Sequence, residues 1–456
     1  MQTGSSLREE CGVFGIFDHP EASNLVYLGI HALQHRGQES AGIVTSDGAD
    51  MYQHRGLGLV ADVFDGEILS RLKGHIGIGH VRYSMSGTAH IKNAQPLAIS
   101  CWRGSLAIAH NGNLVNADQL RHELELDGSI FQTANDTEVI LHLIAKTREA
   151  ELRDALIAAM RRVKGAYAII LLNKDQMIAV RDPNGFRPLV VGTKNGSMVV
   201  ASETSALDLI NAKFIREVEP GEMLVFSRQG MESYFPFSPA KPSFCVFEQI
   251  YFARPDSMIF GQSVYEVRKR LGRQLARENP IEADMVVPVP DSGIVAALGA
   301  AEEYGMPFEI GLIRNHYVGR TFVEPQQSIR DFGVKLKLNP VRSLIEGKRV
   351  VIIDDSIVRG TTSRKLVRLI RGAGAKEVHV RISSPPVIGP CRYGIYMPNA
   401  AELIANQKTV QDICRFIDAD SLGYLSVAGL IKAVGACSNN HCRACFDLSY
   451  PVDIDL

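Results

Sequence analysis

Residues 350–363 form a segment whose residue types suit a phosphorylated sugar. An apolar run leads to Asp354 and Asp355, whose carboxylates can accept hydrogen bonds from ribose hydroxyl groups. The residues that follow place backbone N–H and hydroxyl groups at the start of a predicted helix, where the positive end of the helix dipole favours an anion. The candidate phosphate-binding residues are Ser356, Arg359, Gly360, Thr361 and Thr362. A capped helix after a buried strand, with a solvated acidic pair, is the purely structural alternative.

A second polar loop, residues 288–293, also follows an apolar run. It contains Asp291, Ser292 and Gly293 and leads into another predicted helix. Backbone N–H groups at such a helix start can bind a second anion. By itself this sequence would be an ordinary turn, so its interpretation depends on the first loop.

Cys11 is a candidate nucleophile, although a cysteine beside an apolar strand is more often buried packing than a catalytic residue. Arg82, the pair Asn111 and Gly112, and Asp136 follow it along the chain, within the sequences GHVRYS, HNGN and NDTE. Each of them also has a structural interpretation. The arginine can pair with a surface acid, Asn-Gly is a common hairpin signal, and the aspartate can cap the helix predicted after it.

Both groups of residues resemble known families. Residues 350–363 resemble the phosphoribosyl pyrophosphate loop of the type I phosphoribosyltransferases. Cys11 with the three downstream sequences resembles the class II glutamine amidotransferases, which are N-terminal-nucleophile hydrolases. In such enzymes the α-amino group of the first residue, with a pKa of about 8, takes the proton of a thiol with a pKa of about 8.5. The resemblance implies that residues 1–10 are a propeptide, removed by cleavage between Glu10 and Cys11.

The same resemblance implies a role for each residue of a glutamine site. Arg82 would bind the α-carboxylate of glutamine through its planar guanidinium group, and Asp136 would bind the α-ammonium group. Asn111 and the backbone of Gly112 would donate hydrogen bonds to the oxyanion that forms when the thiolate of Cys11 attacks.

One position departs from the family pattern. Where the family commonly has a threonine two residues after the tyrosine of this motif, the chain has Met85. We expect Ser84 or Ser86 to supply the missing hydroxyl group in an altered glutamine pocket.

The phosphoribosyltransferase resemblance implies that the two loops bind phosphoribosyl pyrophosphate. A pyrophosphate beside two carboxylates calls for a hard divalent cation with oxygen ligands, so we expect one Mg²⁺ per subunit, held by Ser292, Asp354 and Asp355. Between the loops lies a long basic segment, residues 314–340, with little apolar pattern. The resemblance favours a lid over the sugar phosphate, with Lys337 as a contact, and a solvated basic loop is the alternative.

Cys442 and Cys445 form a C-x2-C pair that can chelate a metal. In the resembled family two further ligands come from distant loops, and the matching positions are Cys245 and Cys391. Four cysteine thiolates can hold a [4Fe-4S] cluster, and zinc is the main competing metal for the same ligand set. The resemblance implies one structural [4Fe-4S] cluster per subunit.

Five motifs between Cys11 and about Val452 together resemble the amidophosphoribosyltransferases. The resemblance implies that glutamine, water and phosphoribosyl pyrophosphate give 5-phosphoribosylamine, glutamate and pyrophosphate, the step that opens purine nucleotide synthesis. It also implies a homotetramer that purine nucleotides inhibit. Two alternatives are another class II glutamine amidotransferase with a different acceptor, and a non-catalytic regulator that senses a phosphoribosyl ligand.

The elements that must position these residues fall into two halves. Residues 11–237 contain many short β-type runs and few helices, chiefly 24–34 and 137–148, which is typical of layered α+β packing. The resemblance makes this half an αββα N-terminal-nucleophile domain that carries the glutaminase site.

Residues 238–456 follow a proline-rich segment and alternate helices with apolar runs at 285–289 and 349–353. This order predicts an α/β phosphoribosyltransferase domain with a parallel sheet and ligands at the carboxyl ends of its strands. A helix over about 410–434 should then lead into a tail that contains cysteines.

Composition excludes several classes of protein. The net charge is −1, so a basic surface must be local and suited to a small anion rather than to nucleic acid. The longest apolar run, residues 166–172, is far shorter than the roughly 20 residues of a membrane span. The first residues lack the basic start and apolar centre of a secretory signal, and eight cysteines are too few for a disulfide scaffold of this size. We therefore predict a cytoplasmic protein.

Overall fold

The computed structural model describes residues 11–83, 90–315, 338–395, 397, 399–435 and 440–452. The predicted propeptide, the three residues Ser84, Met85 and Ser86, and Lys337 lie outside these ranges. Among the described residues, no helix is both long enough and apolar enough to cross a membrane.

Two antiparallel sheets form the centre of the first half. The described strands are β1 (Gly12–Phe17), β2 (Ser40–Ser46), β3 (Met51–Leu57), β4 (Ile76–Arg82), β5 (Leu97–Cys101), β6 (Gly104–Leu114), β7 (Gly165–Leu172), β8 (Met177–Arg181), β9 (Val190–Lys194), β10 (Ser197–Ala201), β11 (Lys213–Glu217), β12 (Met223–Ser227) and β13 (Gly230–Tyr234). One sheet has the order β11-β9-β10-β1-β4-β2-β3, and the other has the order β13-β12-β8-β7-β6-β5.

Helices cover the outer faces of both sheets. Their bounds are α1 (Ala22–Ala32), α2 (Val60–Val63), α3 (Gly66–Arg71), α4 (Ala117–Leu126), α5 (Thr137–Lys146), α6 (Leu152–Met160) and α7 (Thr204–Leu209). Alternate strand residues face each other between the sheets, with Val13 and Ile78 in the same buried cluster as Ala107 and Ile170. Separate apolar clusters join α1 and α7 to the first sheet and α4 to α6 to the second. The predicted αββα arrangement is confirmed.

Asn111 and Gly112 lie inside a strand. Their Cα partners in β7 are Ala168 and Tyr167, so the hairpin interpretation of Asn-Gly is wrong. The flanking apolar residues of β6 belong to the sheet core, and the pairing with β7 continues without a break through Gly112, whose φ is +147°. Tertiary pairing thus overrides the local turn signal.

The second half is built around a parallel sheet with the strand order β17-β20-β21-β22. The described strands are β14 (Phe244–Cys245), β15 (Met258–Ile259), β16 (Gln262–Ser263), β17 (Met285–Pro288), β18 (Leu312–Arg314), β19 (Leu338–Pro340), β20 (Arg349–Asp354), β21 (Glu377–Ile382), β22 (Ser421–Tyr424) and β23 (His441–Cys442). The described helices are α8 (Val264–Glu278), α9 (Ile294–Tyr304), α10 (Arg342–Ile345), α11 (Thr361–Gly372), α12 (Ile404–Gln407), α13 (Val410–Ile417), α14 (Val427–Val434) and α15 (Ala444–Asp447). All three pairings of this sheet are parallel, as predicted.

The single helix predicted over 410–434 is wrong. Helix α13 ends at Ile417, and Asp418 follows in the left-handed conformation with φ +66°. The chain then forms β22, which pairs with β21 at the edge of the sheet, and the side chain of Ser426 caps α14. Pairing with an open sheet edge satisfies backbone groups that a continuous helix would have satisfied internally.

The two halves are joined by direct contacts. Strand β14 pairs in parallel with β23, which aligns Cys245 with Cys442. Phe186 of the first half stacks on Tyr393 of the second, with ring centroids 4.2 Å apart.

The boundary between the halves lies in the segment after β13. This last strand of the first half ends at Tyr234, and the next strand, β14, belongs to the junction. The division between residues 237 and 238 stays a prediction.

Candidate active sites

One cavity of about 490 Å³ contains all five residues predicted for a glutamine site. Cys11, Arg82, Asn111, Gly112 and Asp136 line it. Cys11 lies immediately before β1, Arg82 ends β4, Asn111 and Gly112 lie in β6, and Asp136 lies immediately before α5. Both sheets of the first half therefore contribute to the cavity. The structure therefore brings together residues that are up to 125 positions apart in the chain (136 − 11).

Cys11 immediately precedes β1 and is partly buried. Its Sγ lies 4.0 Å from the carbonyl oxygen of Tyr83. Its own carbonyl oxygen accepts a hydrogen bond of 3.1 Å from Nε of Arg36. The backbone of the candidate nucleophile is thus fixed from two sides, by the sheet and by a buried arginine.

The side chain of Asn111 is 1% exposed and points its amide into buried space. Neither Oδ1 nor Nδ2 has a hydrogen-bond partner within the described part of the chain. An unpaired buried amide costs about 1–3 kcal/mol, so a bound group that accepts a hydrogen bond here would relieve an existing penalty. This feature fits an oxyanion donor better than a packing residue.

Arg82 and Asp136 flank the cavity with opposite charges. Arg82 Nη1 lies 3.7 Å from Glu39 Oε1, a loose ion pair that leaves donors for a substrate carboxylate. The carboxylate of Asp136 accepts a hydrogen bond of 3.0 Å from the N–H of Leu114. Its side chain makes no capping bond to α5, so the interpretation of Asp136 as a mere helix cap is not supported.

The ionisation of Asp136 suits the binding of a cationic group. Loss of hydration alone would raise its pKa, but the neighbouring His110 and the hydrogen bonds from Leu114 and Thr137 lower the pKa below its ordinary value. The carboxylate therefore stays charged at neutral pH.

The second candidate site lies at the carboxyl ends of β17 and β20. Asp354 ends β20, and Asp355 follows it at 7% exposure. The hydroxyl group of Ser356 donates to Asp355 at 2.5 Å. Gly360 adopts φ +73° and precedes α11, so the N–H groups of Thr361 and Thr362 begin a helix beside the carboxylates. The predicted loop geometry is present.

Four further residues predicted for this site have different surroundings. Asp291 forms an ion pair with Arg314, and Ser292 hydrogen bonds with Asp355. Arg359 is held 2.5 Å from the carboxylate of Glu402, an ion pair that a phosphate would have to replace. A Cβ on Gly293 would lie 2.4 Å from the carbonyl oxygen of Ile353. This distance is too short for a side chain, so the position requires glycine.

Asp354 and Asp355 are poorly hydrated and close together. Loss of hydration raises the pKa of Asp354 well above its usual range, and the charge of Asp355 adds to the increase. Loss of hydration also raises the pKa of Asp355, against the lowering effect of the Ser356 and Ser292 hydroxyl groups and of Arg268. Such a pair favours the binding of a cation.

Two family models and several full-length relatives match the chain. A glutamine amidotransferase domain model matches residues 80–209, and a phosphoribosyl transferase domain model matches residues 261–383. The chain is 55% identical over 447 residues to Amidophosphoribosyltransferase 1, chloroplastic, of Arabidopsis thaliana, covering 98% of this chain and 79% of that relative. It is 52% identical to the amidophosphoribosyltransferase of Bacillus subtilis (strain 168), covering 98% of this chain and 95% of that relative. This chain belongs to the amidophosphoribosyltransferase family.

A solved amidophosphoribosyltransferase has the same fold. Glutamine phosphoribosylpyrophosphate amidotransferase from B. subtilis, complexed with ADP and GMP, matches with a TM-score of 0.93 at 51% identity, over 97% of this chain and 98% of that one. Like its relatives, the chain is a pentosyltransferase of purine biosynthesis that forms 5-phosphoribosylamine, glutamate and pyrophosphate from phosphoribosyl pyrophosphate, glutamine and water. The two alternative functions are not favoured.

The four cysteines predicted as cluster ligands lie near the junction of the two halves of this amidophosphoribosyltransferase. Cys442 is opposite Cys245 in the β14–β23 pair. The thiol of Cys445 is close enough to the other three for their charges to raise its pKa further, although loss of hydration is the main cause. Loss of hydration also raises the pKa of Cys442 to about 12. Within the described residues, no three His, Cys, Asp or Glu side chains are arranged around a single-ion site.

The amidotransferase cavity includes residues that the sequence did not predict. Arg392 and Gly394 of the second half line it. The carbonyl oxygen of Arg392 accepts a hydrogen bond of 2.9 Å from Asn113 Nδ2, and a Cβ on Gly394 would lie 3.0 Å from the carbonyl carbon of Gly112. No local signal identifies this segment, because the residues it contacts are about 280 positions away.

Proposed function

We propose that Cys11 is the nucleophile of the glutaminase reaction and becomes the first residue of the mature chain when residues 1–10 are removed. The observation that carries this proposal is the buried amide of Asn111, which has no hydrogen-bond partner among the described residues and lies in the same cavity as the Cys11 thiol, Arg82 and Asp136. These four groups match the parts of a glutamine side-chain hydrolysis: a nucleophile, an oxyanion donor and two groups for the charged end of the substrate.

The reaction follows from these positions. Arg82 binds the α-carboxylate of glutamine and Asp136 binds its α-ammonium group, so the side-chain amide lies over the thiol. The freed α-amino group of Cys11 takes the thiol proton, the sulfur attacks the amide carbon, and Asn111 and the N–H of Gly112 donate to the resulting oxyanion. The same amino group then gives its proton to the departing ammonia, and water hydrolyses the thioester to glutamate.

Ammonia is consumed at the second site. We propose that the loop of Ser356, Arg359, Gly360, Thr361 and Thr362 binds the 5-phosphate of phosphoribosyl pyrophosphate, while Asp354 and Asp355 bind the ribose. The loop of Asp291, Ser292 and Gly293, together with Lys337, holds the pyrophosphate. Nitrogen then bonds to C1 of the ribose as the bond from C1 to the pyrophosphate breaks.

The raised pKa values of Asp354 and Asp355 support one Mg²⁺ at this site, with Ser292 as a further ligand. When bound, Mg²⁺ neutralises charge on the leaving pyrophosphate. The donors are all oxygen atoms, which is the ligand set that Mg²⁺ prefers.

We propose that Cys245, Cys391, Cys442 and Cys445 hold one [4Fe-4S] cluster per subunit with a structural role. The thiols of Cys442 and Cys445 are poorly hydrated, which raises their pKa values. Such thiols ionise only beside a positive charge, and the iron ions of a cluster would supply that charge. Zinc is the competing metal, because four thiolates also suit a tetrahedral zinc ion with its sulfur atoms about 2.3 Å from the metal. The cluster is proposed because the family resemblance at these four cysteine positions favours it.

The domain limits, assembly and regulation are also proposals. We assign residues 11–237 to the glutaminase and residues 238–456 to the phosphoribosyltransferase. The B. subtilis relative complexed with ADP and GMP supports purine nucleotides as inhibitors, and a homotetramer is proposed on family resemblance. A cytoplasmic location stays a prediction, because relatives from Arabidopsis thaliana are named chloroplastic.

Mass analysis of the mature chain, with iron and sulfide determination on the same sample, tests the two unusual parts of this proposal. We expect the mass of a chain that begins at Cys11, and about four iron and four sulfide per chain. A chain that keeps Met1 while hydrolysing glutamine would contradict the terminal-nucleophile mechanism. Stoichiometric zinc in place of iron would contradict the cluster.

A further inference from the structure

Four charged side chains form a buried cluster between the two halves of the molecule. Arg36, Arg187 and Glu203 come from the first half and Glu248 from the second, and all four side chains are 0% exposed. The two positive charges of the arginines are balanced by the two negative charges of the glutamates. Buried charged side chains need such pairing to offset the loss of hydration.

Glu248 is bound to both arginines. Its carboxylate accepts two hydrogen bonds from Arg36, Nη1 to Oε2 at 2.9 Å and Nη2 to Oε1 at 2.6 Å. Oε1 also accepts from Arg187 Nη1 at 3.3 Å. A planar guanidinium held by such a fork has a fixed orientation.

Each arginine extends to a different part of the glutaminase cavity. Arg36 also donates from Nε to the carbonyl oxygen of Cys11 at 3.1 Å. Arg187 donates from Nη2 to the carbonyl oxygen of Tyr393 at 2.5 Å, and Gly394 follows this residue against the backbone of Gly112. One carboxylate of the second half is therefore one side chain away from both the nucleophile and the oxyanion position.

We infer that Glu248 is a positioning residue for the glutaminase reaction, acting across the domain junction through Arg36 on Cys11 and through Arg187 on the segment beside Gly112. The inference rests on the proposed role of Cys11. It deepens that role, because it makes the geometry of the glutamine site depend on a residue of the phosphoribosyltransferase half.

The other contacts of Arg36 explain why Glu248 decides its orientation. Arg36 Nη1 also lies 2.5 Å from Glu203 Oε1, and His35 binds the same oxygen at 2.7 Å. Glu203 is in turn fixed by the N–H of Arg254 at 2.9 Å and by Ser257 at 2.7 Å. Without the carboxylate of Glu248, we expect the guanidinium to turn toward Glu203, which would draw Nε away from the carbonyl oxygen of Cys11.

The test compares two reactions of the full-length protein. Glu248→Gln keeps the shape of the side chain but removes its charge. Phosphoribosylamine formation is measured with glutamine as nitrogen donor and again with added ammonia, which bypasses the glutaminase. Glu222→Gln is the matched control, because Glu222 is a buried carboxylate that binds Arg216 through two hydrogen bonds of 2.6 and 2.7 Å away from both sites.

We expect Glu248→Gln to lower kcat with glutamine by about 10- to 100-fold, the range that a small misplacement of a reacting group produces. The KM for glutamine should change little, since Arg82 and Asp136 are untouched. Activity with ammonia should stay within about twofold of the unsubstituted enzyme, and Glu222→Gln should leave both reactions within the same range.

Two results would overturn the inference. One is an unchanged kcat with glutamine, and the other is an equal loss in both reactions, which would mean that the cluster only holds the domains together. If Glu248→Gln does not fold, Glu248→Asp replaces it in the same two assays. This substitution keeps the negative charge but moves it away from the arginines by one methylene group, and the same two results would overturn the inference. Cys11→Ala assayed in parallel separates the hypotheses, because only a failure of the proposed nucleophile would leave that variant active with glutamine.

Discussion

At the scale of single residues, the proposed glutamine site depends on polar groups that are available to bind a substrate. Asn111 is the plainest case, since its amide is buried without a partner in the described structure. The sequence predicted its role through family resemblance, whereas its local signal, Asn-Gly, suggested a turn. Burial and missing partners are properties of the fold, so they could not be predicted from the residue and its neighbours.

Asn111→Ala should remove one donor from the oxyanion. We expect kcat with glutamine to fall by about 10²–10³, as for other oxyanion donors, while activity with added ammonia is kept. Steady-state assays with the two nitrogen donors would measure this. Asn173→Ala is a suitable control, because Asn173 accepts N–H bonds only in a turn of the same domain, and equal losses in both variants would argue against the assigned role.

Asp182 gives a prediction for stability rather than activity. Burial raises its pKa to about 6, against the opposing effects of Arg181 and three backbone N–H groups. A carboxyl group whose pKa is higher in the folded chain stabilises the fold at low pH, and this contribution is lost as the pH rises from about 4 to about 6. The expected loss is roughly 3 kcal/mol.

Asp182→Asn cannot titrate and should lack that dependence. Urea unfolding of both proteins across this pH range, followed by a signal from the first domain, would measure the difference in the free energy of unfolding. Parallel curves for the two proteins would show that Asp182 has an ordinary pKa.

At the scale of elements, sequence periodicity predicted most strands and several helices of both halves, because alternating or continuous apolar runs reflect burial directly. It failed over 410–434, where β22 is only four residues long and forms because a sheet edge is available. It also gave no indication that the segment containing Arg392 and Gly394 reaches the glutaminase cavity. Such contacts depend on how distant elements pack.

Gly394→Ala tests the contribution of this segment. Gly394 has φ +114°, and an added Cβ would lie 3.0 Å from the carbonyl carbon of Gly112. The contact should shift the oxyanion position and lower kcat with glutamine at least about tenfold, with ammonia-dependent activity retained. Gly347→Ala is the matched control, since Gly347 also has a positive φ, +74°, but no atom of the described residues lies within 4 Å of the added Cβ. Similar effects of both substitutions would indicate backbone strain alone.

At the scale of the whole molecule, the two sites belong to domains whose cores are separate but whose junction is tightly built. A buried ion cluster, a stacked aromatic pair and the parallel pairing of β14 with β23 cross it. Each domain type could be predicted from its own motifs. The junction could not, because Arg36 and Glu248 are 212 positions apart and neither belongs to a recognisable pattern.

The most direct test of Cys11 as the nucleophile is phosphoribosylamine formation by Cys11→Ala, with glutamine and with ammonia as alternative nitrogen donors. In the proposed mechanism, Cys11 supplies the nucleophile for the glutamine-dependent reaction and takes no part in the ammonia-dependent one. We expect the variant to lose the glutamine-dependent reaction and to keep the ammonia-dependent one at about the rate of the unsubstituted enzyme. Undiminished product formation from glutamine would contradict this expectation.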